Sequence, residues 1–165
     1  MILTPFFFFG CKDAEEVTGK MDITINGEAH SFPMATFVRV GDYTTITSTN
    51  VSNTVTIAFK GSSRGTYELG VGTDLLTAIA NISHIDNAEN ALLYFPINNS
   101  NDAFASLFGT LTISEYSSDK ITGSFTGYGI SKNLLEGITG SQIDTIVNQN
   151  NKMFAGTFSA VAYGL

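Results

Sequence analysis

Met21-Asp22-Ile23-Thr24-Ile25-Asn26-Gly27-Glu28-Ala29-His30-Ser31-Phe32 is the stretch that decides the fold class of this chain. Residues 21–25 alternate apolar and polar side chains, the period of a half-buried strand. Asn26-Gly27 follows at once, and both central positions of a type I′ hairpin turn require φ > 0. Residues 28–32 then supply the return strand, which Pro33 stops. A β-hairpin is therefore expected near the start of a β-rich domain.

The same period runs outward from this hairpin. Residues 36–40, 43–49 and 54–59 read as three further strands, and Val55, Ile57 and Phe59 share one face of the last. A tripeptide of glycine, serine or threonine, and an apolar residue then recurs. It stands at Gly65-Thr66-Tyr67, Gly109-Thr110-Leu111, Gly123-Ser124-Phe125 and Gly156-Thr157-Phe158. Each copy is read as a strand start, with glycine ending the preceding turn. The copies have no fixed spacing, which excludes a solenoid. Residues 75–82 fit a helical face or a strand, and their β-rich neighbours favour the strand. Residues 132–137 read as one helical turn, 142–147 as a strand and 153–163 as the closing strand. The sum is a single all-β domain over residues 21–165 of roughly ten antiparallel strands, a sandwich or a flattened barrel.

The first sixteen residues follow a different logic. Residues 1–10 carry no charged side chain and include four consecutive phenylalanines, Phe6 to Phe9. Ten residues are too few for a membrane-spanning helix, which needs ~20. They match the short apolar region of a secretory signal ending in a small residue, Gly10. No Lys or Arg precedes it, so the positive region is expected from the α-amino group or, preferably, from a start upstream of Met1. Cys11 is the sole cysteine of the chain, so an intramolecular disulfide is ruled out. A charged run, Lys12-Asp13-Ala14-Glu15-Glu16, follows it and reads as a solvated tether over residues 11–20.

Phe8-Phe9-Gly10-Cys11 resembles a bacterial lipobox. The resemblance implies diacylglycerol on the Cys11 thiol, cleavage before it and acylation of the new amino terminus. The charged run resembles the surface-export signal of Bacteroidota lipoproteins, with Lys12, Asp13, Glu15 and Glu16 as the matching residues and Ala14 as an interruption. Residues 21–27, 65–69, 109–114, 120–125 and 156–158 together resemble a group of small all-β Bacteroidota lipoprotein domains of unknown function. That resemblance implies an all-β fold and an outer-membrane, surface-exposed address, with palmitate as an expected lipid. It carries over no catalytic residues.

Composition excludes other classes. A net charge of −7 argues against nucleic-acid binding, whose readers are basic. Thirteen phenylalanines and no tryptophan, in a Thr-, Ser-, Gly- and Asn-rich background, fit an extracytoplasmic β-domain. Gly61-Ser62-Ser63-Arg64-Gly65 matches the nucleophile-elbow pattern, but strands flank it where the elbow needs a following helix. His30 and His84 lack the grouped ligands of a zinc site, and His30 reads as a surface hairpin residue. Residues 86–90 and 98–102 are oxygen-rich, yet Asn/Asp clusters are ordinary turn chemistry. No catalytic residue, metal site or cofactor is therefore assigned. Asp144-Thr145-Ile146 resembles the Asp-Thr-aliphatic sites of O-glycosylation in Bacteroidota envelope proteins, with Thr145 as acceptor.

The expected function is a lipid-anchored, non-enzymatic binding or accessory module whose partner is a glycan or an envelope protein. Tyr43, Tyr67, Tyr94, Tyr116 and Tyr128 are its candidate stacking residues. The alternatives are a barrel-type carrier of a small apolar ligand and a hydrolase.

Overall fold

The computed structural model describes residues 18–51, 53–70, 92–96, 103–131, 134 and 151–164. The expected signal, residues 11–17 of the tether and Thr145 lie outside these residues, as do residues 75–82, His84, both oxygen-rich loops, the 132–137 turn apart from residue 134, and the 142–147 strand. Of the expected tether, residues 18–20 are described, and Lys20 already belongs to a strand. The protein is essentially all-β: the elements of the described chain are strands, numbered β1 to β10. They are β1 (Lys20–Ile25), β2 (Glu28–Phe32), β3 (Met34–Val40), β4 (Tyr43–Thr49), β5 (Thr54–Lys60), β6 (Gly65–Gly70), β7 (Leu92–Pro96), β8 (Ala103–Tyr116), β9 (Lys120–Ser131) and β10 (Lys152–Ala162).

The opening hairpin forms as its sequence requires. Asn26 and Gly27 take φ of 50° and 87°, and β1 pairs β2 from Met21↔Phe32 to Ile25↔Glu28. The β3–β4 and β4–β5 pairs extend it as a meander. β10 is the strand on which the sheet is organised. One of its edges pairs antiparallel with β1 over Phe154 to Ser159, then parallel with β3 at Val161 and Ala162; β9 pairs antiparallel along the other edge. β8 is shared in the same way, with β7 on its first residues, β6 on its later ones and β9 along its far side. The result is a curled, half-barrel sheet.

The inner face of this curl carries one continuous core, including Met21, Ile23, Phe32, Phe37, Ile46, Ile57, Phe59, Leu111, Phe125, Phe154 and Phe158. β4 shows the alternation plainly, with Thr44, Ile46 and Ser48 buried and the odd-numbered residues between them half-buried. The two buried hydroxyls are satisfied within the protein: Thr44 Oγ1 donates to Gly61 O at 2.6 Å and lies 2.8 Å from Tyr116 Oη, and Ser48 Oγ donates to Met34 O at 2.8 Å. Burying either group unpaired would cost about 1–3 kcal/mol.

The recurring tripeptide has a role that differs from the strand start expected of it. Only Gly65 begins a strand; Gly109, Gly123 and Gly156 lie inside β8, β9 and β10. The reason is cross-strand packing. In the β9–β10 register Gly123 faces Phe158 and Phe125 faces Gly156, with Ser124 opposite Thr157. Each phenyl ring lies over the glycine of the opposing copy, so close that a Cβ at Gly156 would stand 2.4 Å from Phe125 Cζ. The two tripeptides are thus reciprocal halves of one contact, in which rings cover the gaps that glycines leave.

Candidate functional site: the outer face of β8, β9 and β10

Three rows of side chains cross the outer face of the sheet, at right angles to the strands. Following the register from β2 through β1, β10, β9 and β8 to β6, the first row is Ser31, Asp22, Thr157, Ser124, Thr112 and Thr66. The second, one pleat period along, is Ala29, Thr24, Ala155, Thr126, Thr110 and Glu68. The third is Met153, Tyr128 and Phe108. The first row is dominated by hydroxyls, the second is half threonine, and the third is apolar and aromatic. It is also open, for Met153, Phe108 and Tyr128 are 55%, 50% and 40% exposed. The Phe108 and Tyr128 rings sit side by side, with centroids 5.2 Å apart and planes inclined by 34°.

Phe108 reaches this face because of a backbone irregularity. Before it, Phe104 and Ser106 point inward, and strict alternation would send Phe108 inward too. The β8–β9 register shifts between Ser106 and Phe108, leaving Leu107 as an extra residue in a bulge. The bulge reverses the alternation, so Phe108 turns outward beside Tyr128, while Leu111 and Ile113 fill the inward positions that follow. Ser106 supports the distortion from inside: it is fully buried, and its Oγ accepts the Leu93 N–H at 3.0 Å.

At the other end of the rows an open groove of about 480 Å3 is lined by Asp22, Ile23, Thr24, Ala29, His30, Ser31, Phe125, Ala155, Gly156 and Thr157. Six of these belong to the first two rows; Ile23, His30, Gly156 and Phe125 form the register row between them. Asp22 is fixed there, 2.8 Å from Lys20 Nζ and accepting a 2.7 Å hydrogen bond from Ser31 Oγ. The hydrogen bond from Lys20, and then that from Ser31, hold its carboxyl below the ordinary carboxylate range. Asp22 is therefore a paired anion at neutral pH, poorly suited to carry a proton in a reaction.

The sequence-derived candidates are distributed unevenly. Tyr128 alone among the described tyrosine side chains of that set is open to solvent. Tyr43 is half-buried. Tyr67 packs on Phe59 with centroids 4.7 Å apart and donates to Ser63 O at 2.8 Å; Tyr116 bonds Thr44 and packs near Phe37. The side chain of Tyr94 lies outside the description. His30 is not the surface residue expected: it stands opposite Ile23, its side chain is 18% exposed, and its Nε2 lies 3.8 Å from Glu28 Oε1. Phe108 and Met153 had no signal in the sequence beyond being apolar residues in strands. The serine-containing loop at residues 61–65 joins strand β5 to strand β6, so it lacks the strand-to-helix geometry of a nucleophile elbow. Among the described residues, no group of three or more His, Cys, Asp or Glu side chains is placed to hold a metal ion. Among them, too, no helix is long and apolar enough to cross a membrane. Cys11, Lys12, Asp13, Glu15, Glu16 and Thr145 lie outside the described residues.

Comparison with known proteins finds no family model that matches the chain and no matching curated protein.

Proposed function

We propose that this chain is a lipid-anchored, non-enzymatic binding module of the bacterial outer membrane, displayed at the cell surface by a diacylglyceryl Cys11 and the charged run Lys12, Asp13, Glu15 and Glu16. Its domain is a flattened barrel. The supporting path runs β10, β3, β4, β5, β7, β8 and β9, each hydrogen-bonded to the next, with β9 paired back to β10. The observation that carries the binding reading is the outward turn of Phe108 beside Tyr128. A bulge that takes a phenylalanine out of the core and leaves it 50% exposed forfeits burial worth ~1 kcal/mol. Such a cost is accounted for by a partner that covers the ring, and bulges that re-aim side chains recur next to binding sites.

The test uses the full chain and its Phe108→Ser/Tyr128→Ser variant as probes of a glycan array and of blotted envelope proteins. The wild type is expected to give at least one signal that the variant loses, while circular dichroism of the two stays the same. If no signal on either support depends on these two rings, the binding-module reading falls.

A further inference from the structure

We infer that the outer face of β8, β9 and β10 binds a neutral, linear polysaccharide, stacking its sugar rings on Phe108 and Tyr128 and running across the strands beside the hydroxyl rows. This rests on the binding-module reading and names its ligand class.

Three observations converge on it. The first is the pairing of chemistries. A pyranose ring has apolar C–H faces and hydroxyl edges, so it needs an aromatic surface beneath it and hydroxyl or amide partners beside it. Phe108 and Tyr128 give the surface, and Thr110 and Thr126 stand beside them one pleat period away, about 7 Å along the strands. Thr126 Oγ1 spends its proton on Phe154 O at 3.3 Å, which leaves its lone pairs as oriented acceptors for a sugar hydroxyl. A protein partner of ordinary interface composition would instead be met by a broader apolar centre.

The second is length. The first row continues as polar side chains from Thr112 through Ser124, Thr157 and Asp22 to Ser31. The second, with Ala155 and Ala29 between and beyond its threonines, runs beside it; both border the open groove at β1 and β2. Five strands at a spacing of about 4.8 Å give a path of about 19 Å, long enough for several sugar units and too long for one. An elongated, open track fits a chain; a single small molecule favours an enclosed pocket.

The third is charge. Along the described part of the three rows the acidic and basic side chains are Glu68, at the β6 end, and Asp22, already held by Lys20. A face of hydroxyls without free cations offers nothing to an anionic polymer, and a chain of net charge −7 repels one. A neutral polymer meets neither obstacle.

The experiment is native affinity electrophoresis of the full, detergent-solubilised chain through gels containing mixed-linkage β-glucan, glucomannan or soluble starch, with polygalacturonate as the anionic comparison. Retardation is expected in at least one neutral gel, unchanged by added salt. Phe108→Ala and Tyr128→Ala should each weaken it about tenfold, whereas Tyr163→Ala, exposed elsewhere, should leave it intact. Retardation only in polygalacturonate, or in none of the gels, overturns the inference, as does retardation that both substitutions leave unchanged. If the neutral gels are silent but blotted envelope proteins still give a signal that depends on Phe108 and Tyr128, the ligand class falls and the binding module stands. If both are silent, both fall.

Discussion

A Cβ at Gly156 would stand 2.4 Å from the Phe125 ring and 2.5 Å from the Asp22 carbonyl oxygen, and one at Gly123 would stand 2.4 Å from Thr112 O and 2.7 Å from the Phe158 ring. Because one obstacle in each case is backbone, rotating the ring away does not make room. Gly156→Ala is therefore expected to destabilise the protein by ~2 kcal/mol or more, read as a lower midpoint in urea unfolding. An alanine variant as stable as wild type would show that the reciprocal ring-on-glycine contact is not tight. The tripeptides were visible in the sequence, but their meaning was not. Glycine followed by Ser-Phe is locally indistinguishable from a strand start, and only the pairing of two distant copies reveals what the glycine makes space for. A second residue-scale expectation concerns Asp22. Its folded pKa is lowered, so its ion pair stabilises the fold above the unfolded carboxylate value, and that contribution is lost as pH falls through the folded value. Removing Lys20 by Lys20→Ala should move the Asp22 titration, followed by NMR, back up toward the ordinary range. An unmoved titration would locate the cause elsewhere.

Strands with short turns were the most legible elements. The expected 43–49 strand coincides with β4, and 21–25, 28–32 and 54–59 fall within a residue of β1, β2 and β5. Period-2 burial and an Asn-Gly turn are local properties, so the sequence alone carries them. Gly27→Ala tests that turn: at φ 87° an L side chain is strained, and a loss of about 1 kcal/mol in denaturant unfolding is expected. The Leu107 bulge was not legible. It depends on how β8 meets β9, and the run Ala103-Phe104-Ala105-Ser106-Leu107-Phe108, apolar but for one serine, gives no hint of which residue is extra. That is why Tyr128 was named from sequence and its neighbour Phe108 was not. Ser106 anchors the distorted segment, so Ser106→Ala should leave the buried Leu93 N–H without its acceptor. The expected cost is about 1–3 kcal/mol, with weaker glycan retardation if the bulge relaxes. A stable variant with an intact bulge would assign the register to the β8–β9 ladder alone.

For the whole molecule, the proposed anchoring and the proposed orientation can be tested separately. A chain of net charge −7 has no attraction to an anionic membrane, so retention should depend on the proposed acyl chains at Cys11. Cys11→Ala is expected to abolish metabolic palmitate labelling; a variant that still labels overturns the lipoprotein reading. Changing Asp13, Glu15 and Glu16 together to alanine should preserve labelling and shield the protein from protease added to intact cells. Unchanged protease access would reduce the charged run to a spacer.

The place of β10 has a consequence for how the chain comes into being. This one strand hydrogen-bonds to β1, β3 and β9, yet it follows all three in the chain. Until it emerges, the β1–β2 hairpin lacks the neighbour that β10 provides and β9 has a vacant edge; a lone hairpin is at best marginally stable in water. The curled sheet therefore stays incomplete until β10 is in place, although β3 to β9 can pair among themselves before it. Closure then requires pairing between remote parts of the chain, a slow process of high contact order. Refolding should accordingly stall in chains truncated after Asn151 and proceed once a complete β10 is present.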